Sequence, residues 1–199
     1  MRRLLGRNGL SIAGAAGLLL LTGCAEQSVP APTEFSSWTA NEGAFQLQYP
    51  ADWEAEGGGK QGLQWARFKR GGAMIHVRVG VADSVIGDIV GIGDSGALEL
   101  TPEEREALAP VTQVHELRKA VMAEEHRNYD EPTASNLQLR LGPARKGEFT
   151  ASKGLRGKIR GYHVTVLSRQ HRVTMLCTCP ESDWQVLQPA FDTVIASLE

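Results

Sequence analysis

Apolar residues recur along this chain with three different rhythms. The first is a run of almost wholly apolar or small residues from Leu10 to Leu21, followed by residues 25 to 43, which show no period at all. The second is an alternation: Phe45, Leu47 and Tyr49 are spaced by Ala44, Gln46 and Gln48, the pattern of a half-buried strand closed by Pro50. Leu63 to Lys69 and Met74 to Val81 read as two further strands joined by a turn over Arg70-Gly71-Gly72-Ala73. The third rhythm is helical. Thr101-Pro102-Glu103-Glu104 opens a helix with a cap, a proline at the first position and acids in the first turn. Pro110 breaks it, and Val111, Val114, Leu117 and Val121 predict a second helix to about Arg127. Alternation returns with Leu137, Leu139 and Leu141, ended by Gly142-Pro143, and continues in strands over Arg145 to Thr150, Ile159 to Ser168 and Val173 to Cys179. Trp184, Leu187, Phe191, Val194 and Leu198 then share one face of a closing helix, whose start Pro189 delays to about Gln188. Strands, helices, strands and a last helix predict an α+β layered domain.

The opening run has its own logic. Arg2, Arg3 and Arg7 precede it, and no acid occurs before Glu26. About a dozen apolar residues fall short of the ~20 that span a bilayer, so the segment reads as a secretory signal peptide. Leu21-Thr22-Gly23-Cys24 resembles the lipobox of bacterial lipoproteins. That resemblance implies diacylglycerol on Cys24, cleavage before it and acylation of the new amino terminus, with palmitate a usual acyl chain. Two or more chains make a lasting anchor. Ala25 follows the cysteine where an Asp would favour inner-membrane retention, so the expected address is the cell envelope, on an outer membrane where one exists. The expected organisation is a signal peptide over 1–23, a lipidated Cys24 with a flexible tether over 24–43, and a folded domain over 44–199.

Composition changes little at first sight. The chain has 199 residues, 42% of them hydrophobic, three cysteines and a net charge of −2, which excludes collagen-like, coiled-coil and disulfide-dense classes. Loss of the signal leaves 18 basic and 23 acidic residues, a net charge of −5, and no nucleic-acid partner is expected. The charge is uneven. Residues 82–131 hold 12 acids against 4 basic residues, and 144–172 hold 8 basic residues against one acid. Such asymmetry steers a charged partner unless the two segments face each other.

Phe45-Gln46-Leu47-Gln48-Tyr49-Pro50-Ala51-Asp52-Trp53, then Gly142-Pro143-Ala144 with Gly161-Tyr162 beyond it, then Trp184 through Phe191 to Ser197-Leu198 are three patches that together resemble the PsbP-like family. The resemblance implies an antiparallel β-sheet sandwiched by helices (an αβα sandwich). It also implies non-enzymatic work by binding other proteins, although no binding residue carries over. The acidic, Gly-rich segment 82–106 stands outside it as an insertion.

Candidate chemistry is sparse. Gly91-Ile92-Gly93-Asp94-Ser95-Gly96 matches a dinucleotide loop, but the helix begins too late and three nearby aspartates oppose phosphate. Gly93-Asp94-Ser95-Gly96 resembles a protease nucleophile segment, yet only His76 precedes Ser95 as a base. Cys177 and Cys179, two apart on a strand, share a face, and His163 on the neighbouring strand makes a weak three-ligand metal candidate. Core packing and a strained vicinal disulfide are the competing readings of the two thiols. His115-Glu116 and Glu125-His126 lack zincin spacing and read as a solvated helix face. The expected function is therefore a membrane-anchored, non-catalytic protein-binding module without a cofactor; the alternative is a periplasmic metal- or small-ligand-binding domain using Cys177, Cys179 and His163.

Overall fold

The computed structural model describes residues 28–60, 62–81, 101–152, 157–168 and 170–199, without the side chains of Glu104 and Leu108. Its elements are β1 (Phe35–Thr39), β2 (Gln46–Pro50), β3 (Glu54–Lys60), β4 (Leu63–Arg70), β5 (Ala73–Val81), α1 (Pro102–Leu108), α2 (Pro110–Glu125), β6 (Arg127–Asp130), β7 (Ala134–Leu139), β8 (Gly142–Ser152), β9 (Lys158–Leu167), β10 (His171–Pro180) and α3 (Trp184–Ala196). Strands β3 to β10 form an eight-stranded sheet in the order β3-β4-β5-β10-β9-β8-β6, with β7 also paired to β8. Every ladder is antiparallel. The class is α+β, an antiparallel sheet with helices on both faces.

Alternation decides which side chains meet which layer. On one face Ala66 and Phe68, Ile75, Val77 and Val79, Val173 and Met175, and Val164 and Val166 are buried beneath α3 and the β1–β2 ribbon. Helix α3 contributes Trp184, Leu187, Phe191, Val194 and Ile195. The opposite face is covered by α2 over β8 and β9, and its apolar cluster is small: Met122, Phe149, Ala151 and Ile159.

Three expectations are corrected, and one strand is added. The stretch read as a tether is part of the fold from Val29 onward. Val29 is buried and its amide donates to Asp183 Oδ2 at 3.3 Å, and β1 pairs with β2. Trp38 of β1 meets Phe68 edge-on at 5.5 Å, and Tyr49 stacks on the same ring at 4.4 Å. Strand β3 gives no alternation because its glycines are required: a Cβ on Gly57 would lie 2.6 Å from the Trp38 ring. The segment after α2 turns directly into β6, with Asn128 at a φ of 53°. Pro189 sits inside α3. The carbonyl it leaves unpaired is that of Gln185, which is exposed to water, while the buried face holds the helix together. The segment 91–96 lies outside the described residues, as do Leu21, Thr22, Gly23 and Cys24.

Candidate functional site

The polar centre of the molecule lies between α2 and the sheet. Strand β8 pairs first with β7, up to Gly147, and later with β6, from Thr150. The chain between these two edge strands carries Glu131 inward across Gly147, where any Cβ would overlap the carboxylate. Gly147 is the cross-strand partner of His163. Glu131 Oε1 accepts from His115 Nε2 at 2.8 Å, and Oε2 accepts from His163 Nδ1 at 3.2 Å and from the Tyr129 hydroxyl. The remaining nitrogens, His115 Nδ1 and His163 Nε2, both face Thr165 Oγ1, at 3.0 and 3.4 Å. His115, His163 and Thr165 are wholly buried.

Electrostatics follow from that geometry. Burial drives the Glu131 carboxyl upward, but hydrogen bonds from His115, His163 and Tyr129 outweigh it and hold the group well below its usual range. Burial lowers the His163 imidazole despite the bond to Glu131. Burial and the adjacent carboxylate raise the Tyr129 phenol. The carboxylate can only accept, so both imidazoles present N–H to it. Thr165 carries a single hydroxyl proton for the two remaining ring nitrogens.

Two histidines and a glutamate are also a metal-ligand set, with donor atoms all within 4.8 Å of one another. The ring geometry opposes it. The imidazoles stack with centroids 4.2 Å apart and planes 15° from parallel. A ligand nitrogen directs its lone pair in the ring plane, and two nearly parallel planes share no point within bonding distance of both nitrogens. An ion would require one ring to turn out of its hydrogen bonds.

His163 thus joins a different set from the one expected. Cys177 pairs across the ladder with Tyr162, and His163 with Leu176, so the thiols and the imidazole point to opposite faces of the sheet. Cys177 and Cys179 are free and buried. Burial raises both thiols, Cys179 up to about 12, which leaves them as packing groups in the layer beneath α3. His115, read as solvated, is the buried hub of α2. It turns the helix so that Val111, Val114 and Met122 face inward, while Leu117 and Val121 of the expected stripe lie 62% and 38% exposed.

Beside the triad no further helix or strand among the described residues covers the same face of the sheet. Two adjoining hollows of about 320 and 470 Å³ run from α2 across β10, β5 and β4 and share Leu63, Arg78 and Val79. The first is edged by Leu117, Arg118, Val121 and Arg172, and the second by Trp65, Arg67 and His76. No acid lines either one among the described residues. Arg67 is paired with Glu56 at 2.6 Å and Arg118 with Glu125 at 3.7 Å; no described carboxylate reaches Arg78 or Arg172. Burial, then the charges of Arg78, Arg67 and Arg118, push His76 down to about 4, so it stays neutral near pH 7.

The basic segment 144–172 is a different matter. Arg145 is held by Glu106 at 2.5 Å, Lys146 by Asp192 at 2.7 Å, and Arg160 by Glu148 at 2.7 Å. Its described cations are largely neutralised within the fold, in part by the acidic segment itself, and Arg172 stands apart. The trough arginines carried no sequence signal because Arg67, Arg78 and Arg118 are scattered over three elements.

No protein-family profile matches the chain, and no curated protein does so either. Among solved structures, cyanobacterial PsbP (CyanoP) from Synechocystis sp. PCC 6803 superposes with a TM-score of 0.56 at 14% identity, over 90% of this chain and 98% of that one. A Pseudomonas aeruginosa protein of unknown function gives 0.42 at 11% identity over 82% and 95% of the two chains. A Bacteroides thetaiotaomicron protein gives 0.44 at 10% identity over 84% and 48%. The fold is PsbP-like.

Proposed function

We propose that this chain is a lipid-anchored, non-catalytic binding module of the cell envelope, with acyl chains on Cys24 and a PsbP-like domain that docks a protein partner. The observation that carries the reading is the open trough beside α2. Its floor and rim are partly apolar, and among the described residues it contains no acid and no carboxylate pairs with Arg78 or Arg172. Catalysis draws no comparable support. Among the described residues the convergent titratable cluster, His115–Glu131–His163, is closed on itself and sealed from water, whereas a general base must reach a substrate proton.

The anchor is tested by fractionation. Wild-type chain is expected to stay with membranes through an alkaline wash, and Cys24→Ser to be released. A Cys24→Ser chain that remains membrane-bound after the wash would refute the lipid attachment. No helix among the described residues is long and apolar enough to cross a membrane.

A further inference from the structure

We infer that the trough between α2 and strands β4, β5 and β10 is the seat of an acidic, leucine-rich peptide segment supplied by a soluble partner. The inference rests on the binding-module reading above and gives the partner its chemistry.

Charge comes first. Arg78 and Arg172 project along the hollow next to each other's strands, since Arg172 pairs with Gly80 and Thr174 with Arg78 in the β5–β10 ladder. Arg67 and Arg118 close its two sides, each with a partly exposed partner. Guanidinium groups in such a row accept carboxylates in planar, two-pronged geometry. His76 lies among them as a neutral imidazole and does not add to the repulsion between the cations.

The apolar part of the occupant follows from what the trough exposes. Leu63 is 69% exposed and Leu117 62%, with Val121 and Trp65 between the arginines. Large apolar side chains presented together around cations fit a segment that alternates leucine-like and acidic residues. The two hollows adjoin through Leu63, Arg78 and Val79, so the occupant is laid along both.

Orientation separates a soluble partner from the bilayer. Val29 is fixed on the α3 side of the sheet, and the trough opens on the other side. From Cys24 to Val29 the chain spans at most about 18 Å even when fully extended. A lipid on Cys24 therefore keeps the α3 side nearest the membrane and turns the trough toward the aqueous compartment.

The test titrates a fluorescein-labelled octapeptide of alternating leucine and glutamate against the full-length chain in non-ionic detergent, read by anisotropy. Saturable binding is expected, weakening as salt rises. The double variant Arg78→Glu/Arg172→Glu should weaken it by about tenfold or more, and the peptide with lysine in place of glutamate should not bind. Arg78→Lys/Arg172→Lys, which keeps the charge, should retain most of the affinity and guards against misfolding of the first variant. Equal binding by wild type and the glutamate variant overturns the inference. So does binding that emerges only when residues 84–98 are replaced by a Gly-Ser linker, because the acidic segment of this chain would then be the occupant. Arginine-dependent capture of the Cys24→Ser chain by phosphatidylglycerol vesicles, without peptide binding, would assign the trough to the bilayer and overturn it too. Peptide binding in detergent does not depend on the anchor, so failure of the alkaline-wash test and failure of this one are read separately.

Discussion

Helices α2 and α3 pack on the same sheet from opposite sides and by opposite chemistry. The α3 interface is built from Trp184, Leu187, Phe191, Val194 and Ile195 against a continuous apolar layer, with Trp53 edge-on to Phe191 at 6.3 Å. The α2 interface turns on three buried polar groups, His115, Glu131 and His163, with a four-residue apolar cluster beside them. Burial of apolar area is tolerant of small shifts, whereas a buried hydrogen-bond network holds one arrangement or loses most of its value. The α3 side is the ballast of the fold. The α2 side sets a precise helix position at the edge of the trough, and it does so with groups whose charge depends on pH.

That contrast can be broken from its strong side first. Phe191→Ala removes a wholly buried ring from the α3 layer and should cost about 3–5 kcal/mol, a fall in Tm of roughly 10 °C for a domain of this size, measured by thermal unfolding. A loss under about 1 kcal/mol would mean that the α3 layer is not the main support.

Glu131→Gln probes the other side. It leaves two imidazole N–H groups facing a neutral amide and should cost about 2–3 kcal/mol at pH 7. The pH dependence carries the sign. His163 and His76 both have folded values below their ordinary 6.5, so the unfolded chain takes protons first and stability declines as pH falls from about 6.5. Glu131 lies below its ordinary 4.5; its stabilisation is present above that value and disappears as pH falls through the lower folded one. Urea midpoints recorded from pH 7 to pH 4 should therefore fall steadily in the wild type, and the limb at the acid end should flatten in Glu131→Gln. A midpoint independent of pH over this range would contradict the reading of the triad.

The smallest effect is expected at the trough. Leu117→Ser changes an exposed position on α2 and should alter stability by no more than about 0.5 kcal/mol, with an unchanged urea midpoint, while weakening the acidic peptide in the anisotropy assay. A large loss of stability would make Leu117 part of the α2 packing instead of the docking rim.

The long ladders were legible because one of their faces is apolar throughout. Strands β4, β5, β9 and β10 alternate or run apolar, and each was expected within one or two residues of its observed ends. Strands β1, β3 and β6 were not, and each for a local reason. Strand β1 packs through Trp38 within a Ser- and Thr-rich stretch, β3 carries three glycines of which Gly57 makes room for that indole, and β6 is four residues long. The triad was invisible for a different reason. His115, Glu131 and His163 are 16 and 32 residues apart, and periodicity ranks a histidine and a glutamate as surface residues. Only the switch of the β8 edge from β7 to β6 carries Glu131 inside. The charge asymmetry was legible, but its meaning was not, since Arg145, Lys146 and Arg160 are taken up by internal carboxylates.

Gly147 is the silent member of that centre. It donates nothing to the hydrogen bonds, yet the carboxylate of Glu131 occupies the space where its side chain would be. A methyl group at 147 and a carboxylate at 131 exclude each other, so neither position can change freely on its own. Two residues in different strands and loops thereby behave as one unit of inheritance, and a glycine that shows no chemistry of its own guards the charge at the heart of the molecule.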